Sequence, residues 1–380
     1  MINMELTLNG SLWFYSFFFF MEVVLAGILN YFIHRSNNTK LLFIREKHLL
    51  LNFGGSICFV LMISLCVIVA YHRYGVGSDY FNYYRIFKTL RNISGENIYN
   101  SIELIPSALM LFFKRYEDGY FYFLGVCAFI IASLTFEFFK ENAFESSLPY
   151  MVFIYFMIMY SASLNALRQI LAVSIILHGY KYIINKDFKR YCVVIILATL
   201  CHKAALLCIA FYFLSYNNTE ISKVKNILIV SLAVLSPFFI ERIFLALIKF
   251  PVFESFSRYT LRDASSYGIY QFLVRLPVTI LIIVEYRKLT EKNEGNHVYA
   301  LLFLMELLSY TIGANITWAF RMSYFCIAAE AILVPQAIKC VESSLRRYAM
   351  WILYSGYYFF MFWYNIINNG HDGILPYIFR

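Results

Sequence analysis

The chain has 380 residues, of which 61% are hydrophobic and only 14% charged, with a formal net charge of +9. Soluble domains carry about 25% charged residues, so a soluble globular fold is excluded and a chain surrounded mostly by lipid is implied. The positive balance fits lysine and arginine in the cytoplasmic loops of a membrane protein and a polyanionic lipid substrate; it does not suggest nucleic acid.

The first apolar run, Ser11–Ile33, is long and lacks a small-residue cleavage site, so it reads as a retained helix. A second run, Leu49–Ala70, leads straight into "YHRYGVGSDYFNYY". The longest polar interval, Tyr71–Asp118, follows. It contains a short apolar stretch, Ile102–Phe113, expected to lie in the interface or to re-enter the bilayer. Further apolar runs cover Tyr120–Phe139, Tyr150–Ser161, Ile170–Ile184, Ile227–Ile248, Phe272–Val284, Tyr299–Ile312, Tyr324–Ile338 and Met350–Ile367. Several reach the ~20 residues that a helix needs to cross a bilayer. Alternation with a period of two is absent, which argues against a β-barrel. Cysteines are scattered, mostly inside apolar runs, and none has metal-ligand spacing.

Orientation follows from lysine and arginine in short loops. Arg35, Lys40, Arg45 and Lys47 place the first loop in the cytoplasm, hence the N-terminus and the Tyr71–Asp118 loop outside. Lys181, Lys186, Lys189 and Arg190 mark a second cytoplasmic turn. The interval Tyr191–Tyr216 is the difficult one. Read as two short segments turning around Cys201–Lys203, it keeps Arg287, Lys288, Lys292, Lys339, Arg346 and Arg347 inside. Each arm is then short for a bilayer of ~30 Å, and a broken hairpin or local thinning is required. The expected fold is an all-α polytopic membrane protein with about 11–12 transmembrane helices. It is read as a single integral membrane domain, 1–380, with external loops at about 71–118 and 249–268.

This map places isolated arginines at outer helix ends: Arg73 after the second helix, Arg168 in "ALRQILAVSII", Arg258 and Arg262 in "FESFSRYTLRDASSYG", and Arg321 in "WAFRMSYFCIAAEAIL". Arginine grips phosphate bidentately and stays charged when desolvated, so the set suggests an outer-face diphosphate site. Singly, each arginine reads equally well as a snorkelling or ion-paired residue. His202, in "ATLCHKAALLC", is the candidate general base, against a packing histidine in a helix turn. Asp79 either pairs with Arg73 or holds a substrate hydroxyl, and pairing is the expectation. Gly75 and Gly77 permit a tight turn. Tyr80 and Tyr84 either belong to an interfacial aromatic belt or stack against sugar rings.

The stretch "RYGVGSDYFNYY" resembles the R-x-G-x-G-x-D-Y-x-x-Y signature of the EpsG-like, Wzy-type family of bacterial exopolysaccharide and O-antigen polymerases. "LRQILAVSI", with Arg168 and Gln169, resembles that family's R-Q-x-x-A segment, and "LATLCHKAALL" its histidine segment, although Lys203 and Ala204 depart from the commoner residues. The likeness extends from about Tyr71 to the C-terminus. It implies polymerisation of repeat units on undecaprenyl diphosphate at the outer face of the cytoplasmic membrane, and a GT-C-like glycosyltransferase architecture. It also implies no cofactor and no metal, Gln169 alongside the arginines in substrate binding, and a chain-length regulator protein as a partner. An O-antigen ligase shares fold and donor, and a lipid-linked polysaccharide flippase is the non-enzyme alternative. Internal repeats and midplane ionisable residues, expected of a transporter, are not apparent in the sequence.

The charge bias makes the topology testable. Single cysteines at Ser78 and at Lys292 should label oppositely from outside intact cells, Ser78 reacting and Lys292 not. Reaction at both positions would overturn the map.

Overall fold

The computed structural model describes residues 4–41, 45–92, 102–215, 267–313 and 319–380. It is an all-α polytopic membrane protein, as the hydropathy implies, with one two-residue strand pair added. Among the described residues three helices are long and apolar enough to cross a membrane unbroken: Leu8–Asn37, Leu50–Tyr71 and Gly119–Glu141. A fourth candidate, Gly268–Val274 with Leu276–Lys292, is bent by 45°. Other apolar runs are broken. Tyr150–Ser161 is divided between helices Leu148–Ile158 and Tyr160–Asn165, and a second break at Ala166 precedes Leu167–Leu177.

Two compact units form. The first comprises Met1–Gly179, Val193–Leu206 and Ser343–Arg380. In it Leu8–Leu41 packs against Arg45–Tyr71 and Leu148–Ile158, and Gly119–Glu141 packs against Arg45–Tyr71 and Leu167–Leu177. Large apolar side chains such as Trp13, Phe17, Phe53 and Ile352 stay exposed on helix surfaces, as lipid-facing side chains do. The buried Glu22 in this packing accepts a hydrogen bond from the Cys66 thiol at 3.5 Å.

The chain ends are sewn to the turn after the second helix. Met4–Glu5 pairs antiparallel with Ile378–Phe379, and Arg73 bridges Phe379. The Tyr377 hydroxyl donates to the Val69 carbonyl at 2.7 Å. Arg380 pairs with Asp118 and lies 4.0 Å from the centroid of the Phe121 ring. The Tyr71–Asp79 turn and the described ends of the chain therefore share one face of this unit.

The second unit comprises Tyr180–Cys192 and Leu207–Glu342. Leu276–Lys292 packs on Ala328–Cys340, and Asn296–Gly313 packs on Ala328–Cys340, Tyr267–Val274 and the 3₁₀ turn Ala319–Phe325. Phe188 and Tyr191, at the start of helix Phe188–Cys201, meet the rings of Tyr212 and Phe213 in helix Ile209–Ser215. The Tyr191 hydroxyl donates to the Cys208 carbonyl at 2.6 Å. The chain between them thus doubles back, with its break at His202.

A buried ionic cluster, unforeseen in the sequence, crosses this unit. Arg275 donates through Nε to Glu306 at 2.5 Å and through Nη1 to Gln271 at 2.7 Å. Its Nε lies 3.4 Å from Glu330, and its guanidinium sits 4.5 Å from the Tyr310 ring centroid. One cation thus holds two buried carboxylates. Removing one partner of such a pair leaves an uncompensated buried charge and costs about 3–5 kcal/mol. Arg275→Met is accordingly expected to cut the yield of monodisperse protein in detergent and lower its thermal midpoint. Arg275→Met with Glu306→Leu should recover part of the loss.

Candidate active site

Glu103 organises the site in the first unit. It is the N-cap of the short apolar helix Leu104–Phe113, yet its side chain does not cap that helix. The carboxylate turns inward. Oε2 accepts from Arg168 Nη1 at 2.5 Å; Oε1 lies 3.2 Å from His202 Nδ1 and accepts the Lys203 backbone N–H at 3.2 Å. Each partner has a local reason to be there. Arg168 sits in the first turn of helix Leu167–Leu177, directly after the break at Ala166. His202 interrupts the chain between helix Phe188–Cys201 and the 3₁₀ turn Lys203–Cys208, where backbone N–H groups lack intrahelical partners.

Burial pushes the Glu103 carboxyl up, but the hydrogen bond from His202 and the charges of Arg168 and His202 more than offset it, holding the group down to about 2. An ionised carboxylate can only accept. The hydrogen between Glu103 and His202 therefore belongs to Nδ1, which in neutral imidazole leaves the lone pair on Nε2. The His202 side chain is a quarter exposed, at 25%. In its neutral form the imidazole is thus held in the Nδ1–H tautomer by the buried carboxylate.

The opposite end of the site is the R-x-G-x-G-x-D turn. Gly77 has φ of +100°, and a Cβ there would lie 2.5 Å from the Leu164 carbonyl oxygen, so only glycine fits. The Asp79 backbone N–H donates to the Asn165 side-chain oxygen Oδ1 at 2.9 Å. Asp79 precedes helix Tyr80–Thr89, but its carboxylate does not cap it. Asn165 also donates through Nδ2 to Asp372 at 2.9 Å. Four residues beyond Asp79, Tyr83 places its ring 5.6 Å from the Arg168 guanidinium. A track of polar residues thus runs from His371, Asp372, Asn165 and the Asp79 backbone, by way of Tyr83 in helix Tyr80–Thr89, to Arg168, Glu103 and His202.

The sequence expectations divide on this geometry. His202 and Arg168 come together on Glu103, while Asp79 lies on the turn held by Asn165. Arg73 does not form the expected pair with Asp79. It is 1% exposed and donates to the backbone carbonyls of Leu164 and Val76, so it is a scaffold inside the protein and not an open phosphate ligand. Tyr80 is likewise buried, against Tyr74, Phe81 and Tyr120, whereas Tyr84 remains exposed. Gln169 is buried in helix Leu167–Leu177. Arg321 is an exposed residue of the 3₁₀ turn Ala319–Phe325 in the second unit and does not start a long helix. Arg258 and Arg262 lie outside the described residues.

Two carboxylates escaped the sequence reading. Glu103 carried a usable signal, being the single acid at the mouth of an apolar stretch on the face that already held an isolated arginine and histidine. Asp372, in "NGHDG", carried none beyond its flanking glycines.

The model of the EpsG family matches residues 56–379, and the chain belongs to that family. No curated protein and no solved structure matches it.

The depressed Glu103 acidity has a definite sign. Its stabilising contribution is fully present above its ordinary value of 4.5 and is lost as pH falls toward about 2. The thermal midpoint of purified protein should decline across that window. Glu103→Gln should flatten the decline and lower the midpoint at neutral pH.

Proposed function

We propose that this chain is a metal-independent polysaccharide polymerase of the cytoplasmic membrane. It transfers a growing glycan from undecaprenyl diphosphate to the terminal sugar of a lipid-linked repeat unit at the outer face. The family assignment supports an exopolysaccharide or O-antigen polymerase-like role. The observation that carries the mechanism is the Glu103–His202 pair flanked by Arg168 and Lys203.

In this reading His202 Nε2 takes the proton of the acceptor hydroxyl. The acceptor oxygen bonds to the anomeric carbon, and the bond from that carbon to the diphosphate oxygen breaks with its electron pair on the diphosphate. Glu103 holds the Nδ1 hydrogen and balances the imidazolium that forms. Arg168, tied to Glu103 through Nη1, and Lys203 supply positive charge where negative charge develops on the leaving group. A chain-length regulator, if it joins the complex, acts on product size and not on this chemistry.

Elongation of a lipid-linked repeat unit by purified variants tests the proposal. A positioned base contributes about 10²–10⁴-fold, and His202→Gln should lose that much rate without loss of protein from the membrane. Near wild-type rates would return His202 to a packing role. In cells, loss of a polymerase leaves one repeat unit on the acceptor, whereas loss of a flippase leaves none.

A further inference from the structure

The loop Gly370–Gly373 is not used by the chemistry above, yet it is held tightly against the glycine turn. Asp372 is buried and adopts φ of +61°, in the left-handed region that costs a non-glycine residue energy. Such strain persists where surrounding contacts over-determine it, and it concentrates at functional sites. Here the contacts are explicit. The carboxylate accepts from Ser161 Oγ at 2.7 Å and Asn165 Nδ2 at 2.9 Å, and lies 3.1 Å from His371 Nδ1. Burial pushes this carboxyl up, but His371 and the two neutral donors outweigh it and keep it ionised. The backbone takes part too. The Asp372 and Gly373 carbonyls accept the N–H groups of Ser78 and Gly77 at 3.0 and 2.9 Å.

The Gly75–Asp79 turn is thereby gripped from two sides, by Leu164–Asn165 and by Asp372–Gly373. The consequence falls on Asp79. Its N–H is taken by Asn165, the residue that Asp372 holds, while its half-buried carboxylate neither caps its helix nor joins an ion pair among the described residues. A carboxylate fixed by its backbone and left open by its side chain suits ligand hydroxyls, each a donor. It repels phosphate.

We propose that Asp372 is the positioning residue of the acceptor side: it clamps the glycine turn through Asn165 and the loop carbonyls, and so aims the Asp79 carboxylate at hydroxyls of the incoming sugar. This rests on the polymerase reading and adds a polarity to it. Sugar lies at the Asp79 end of the track, and diphosphate at the end with Arg168 and Lys203.

The test uses full-length protein in lipid nanodiscs, a preformed lipid-linked chain as saturating donor, and the single lipid-linked repeat unit from cells lacking this protein as varied acceptor. Loss of one hydrogen bond to a charged group corresponds to about tenfold or more in binding. Asp79→Ala and Asp372→Asn should each raise the acceptor KM about tenfold, with a smaller effect on kcat. Asp372→Asn placed in Asp79→Ala should raise it no further, because the one acts through the other. Gly373→Ala leaves the carboxylate intact but puts a Cβ 2.9 Å from Ser78 Oγ at a φ of +62°, and should give the same KM signature. If Asp372→Asn fails to fold, Ser161→Ala and Gly373→Ala carry the test. Variants that lose folded protein and kcat at unchanged KM would show a purely structural loop and overturn the proposal. A wild-type protein that elongates nothing would instead overturn the polymerase reading on which it rests.

Discussion

A carboxylate taken out of water must be paired, and in the first unit that requirement falls on Glu103. Its two oxygens collect a guanidinium, an imidazole and a backbone N–H from segments about 65 and 100 residues away in sequence. An isolated ion in a low-dielectric interior is so costly that it is either neutralised or surrounded. Glu103 is surrounded, and the surrounding fixes the site. The short helix Leu104–Phe113 cannot drift from Arg168 without stranding both charges. The chain cannot run on as regular helix through His202 without withdrawing the Lys203 N–H from the carboxylate.

Arginine plays different parts here according to what its guanidinium can reach. Arg73 follows a spanning helix and donates through Nη1 to the carbonyl oxygens of Leu164 and Val76, so these donors serve the fold. Arg168 faces a carboxylate and keeps a fifth of its side chain exposed. Arg275 holds two carboxylates and an aromatic ring together inside the second unit. A row of arginines at one depth therefore does not make a row of phosphate ligands. The distinction is set by the neighbouring backbone, which hydropathy and charge bias do not encode.

That limit explains what could be read from the sequence. Helical class, membrane residence and the long spans follow from apolar length alone, because a spanning backbone must satisfy its hydrogen bonds internally. The doubling back between Phe188 and Phe213 was reachable too, through the charge of the loops that follow it. The break at Met159 was not: it lies inside the apolar run Tyr150–Ser161 with no proline or glycine, and packing imposes it. The break at Ala166 falls between two apolar runs, just before Arg168, where the sequence already placed a helix end. His202 was legible as a histidine at a helix break, and Asp79 by its motif. Glu103 and Asp372 were obscure because a carboxylate's importance depends on partners distant in sequence, and the pairing assigned to Asp79 and Arg73 failed for the same reason.

The ordering of charge along the polar track has a consequence for a substrate of mixed character. A lipid-linked sugar carries hydroxyls at one end and a diphosphate beside the lipid. Asp79 and Asp372 offer carboxylates at one end of the track, beside His371 and the buried Arg73, and Arg168 offsets the Glu103 charge at the other. Hydroxyls donate to carboxylates, whereas phosphate oxygens are repelled by them. On the proposed polarity, this arrangement would orient a bipartite ligand without a contact to any particular sugar. It would let one scaffold serve different repeat units, with sugar identity read by whatever lines the path beyond the Asp79 turn.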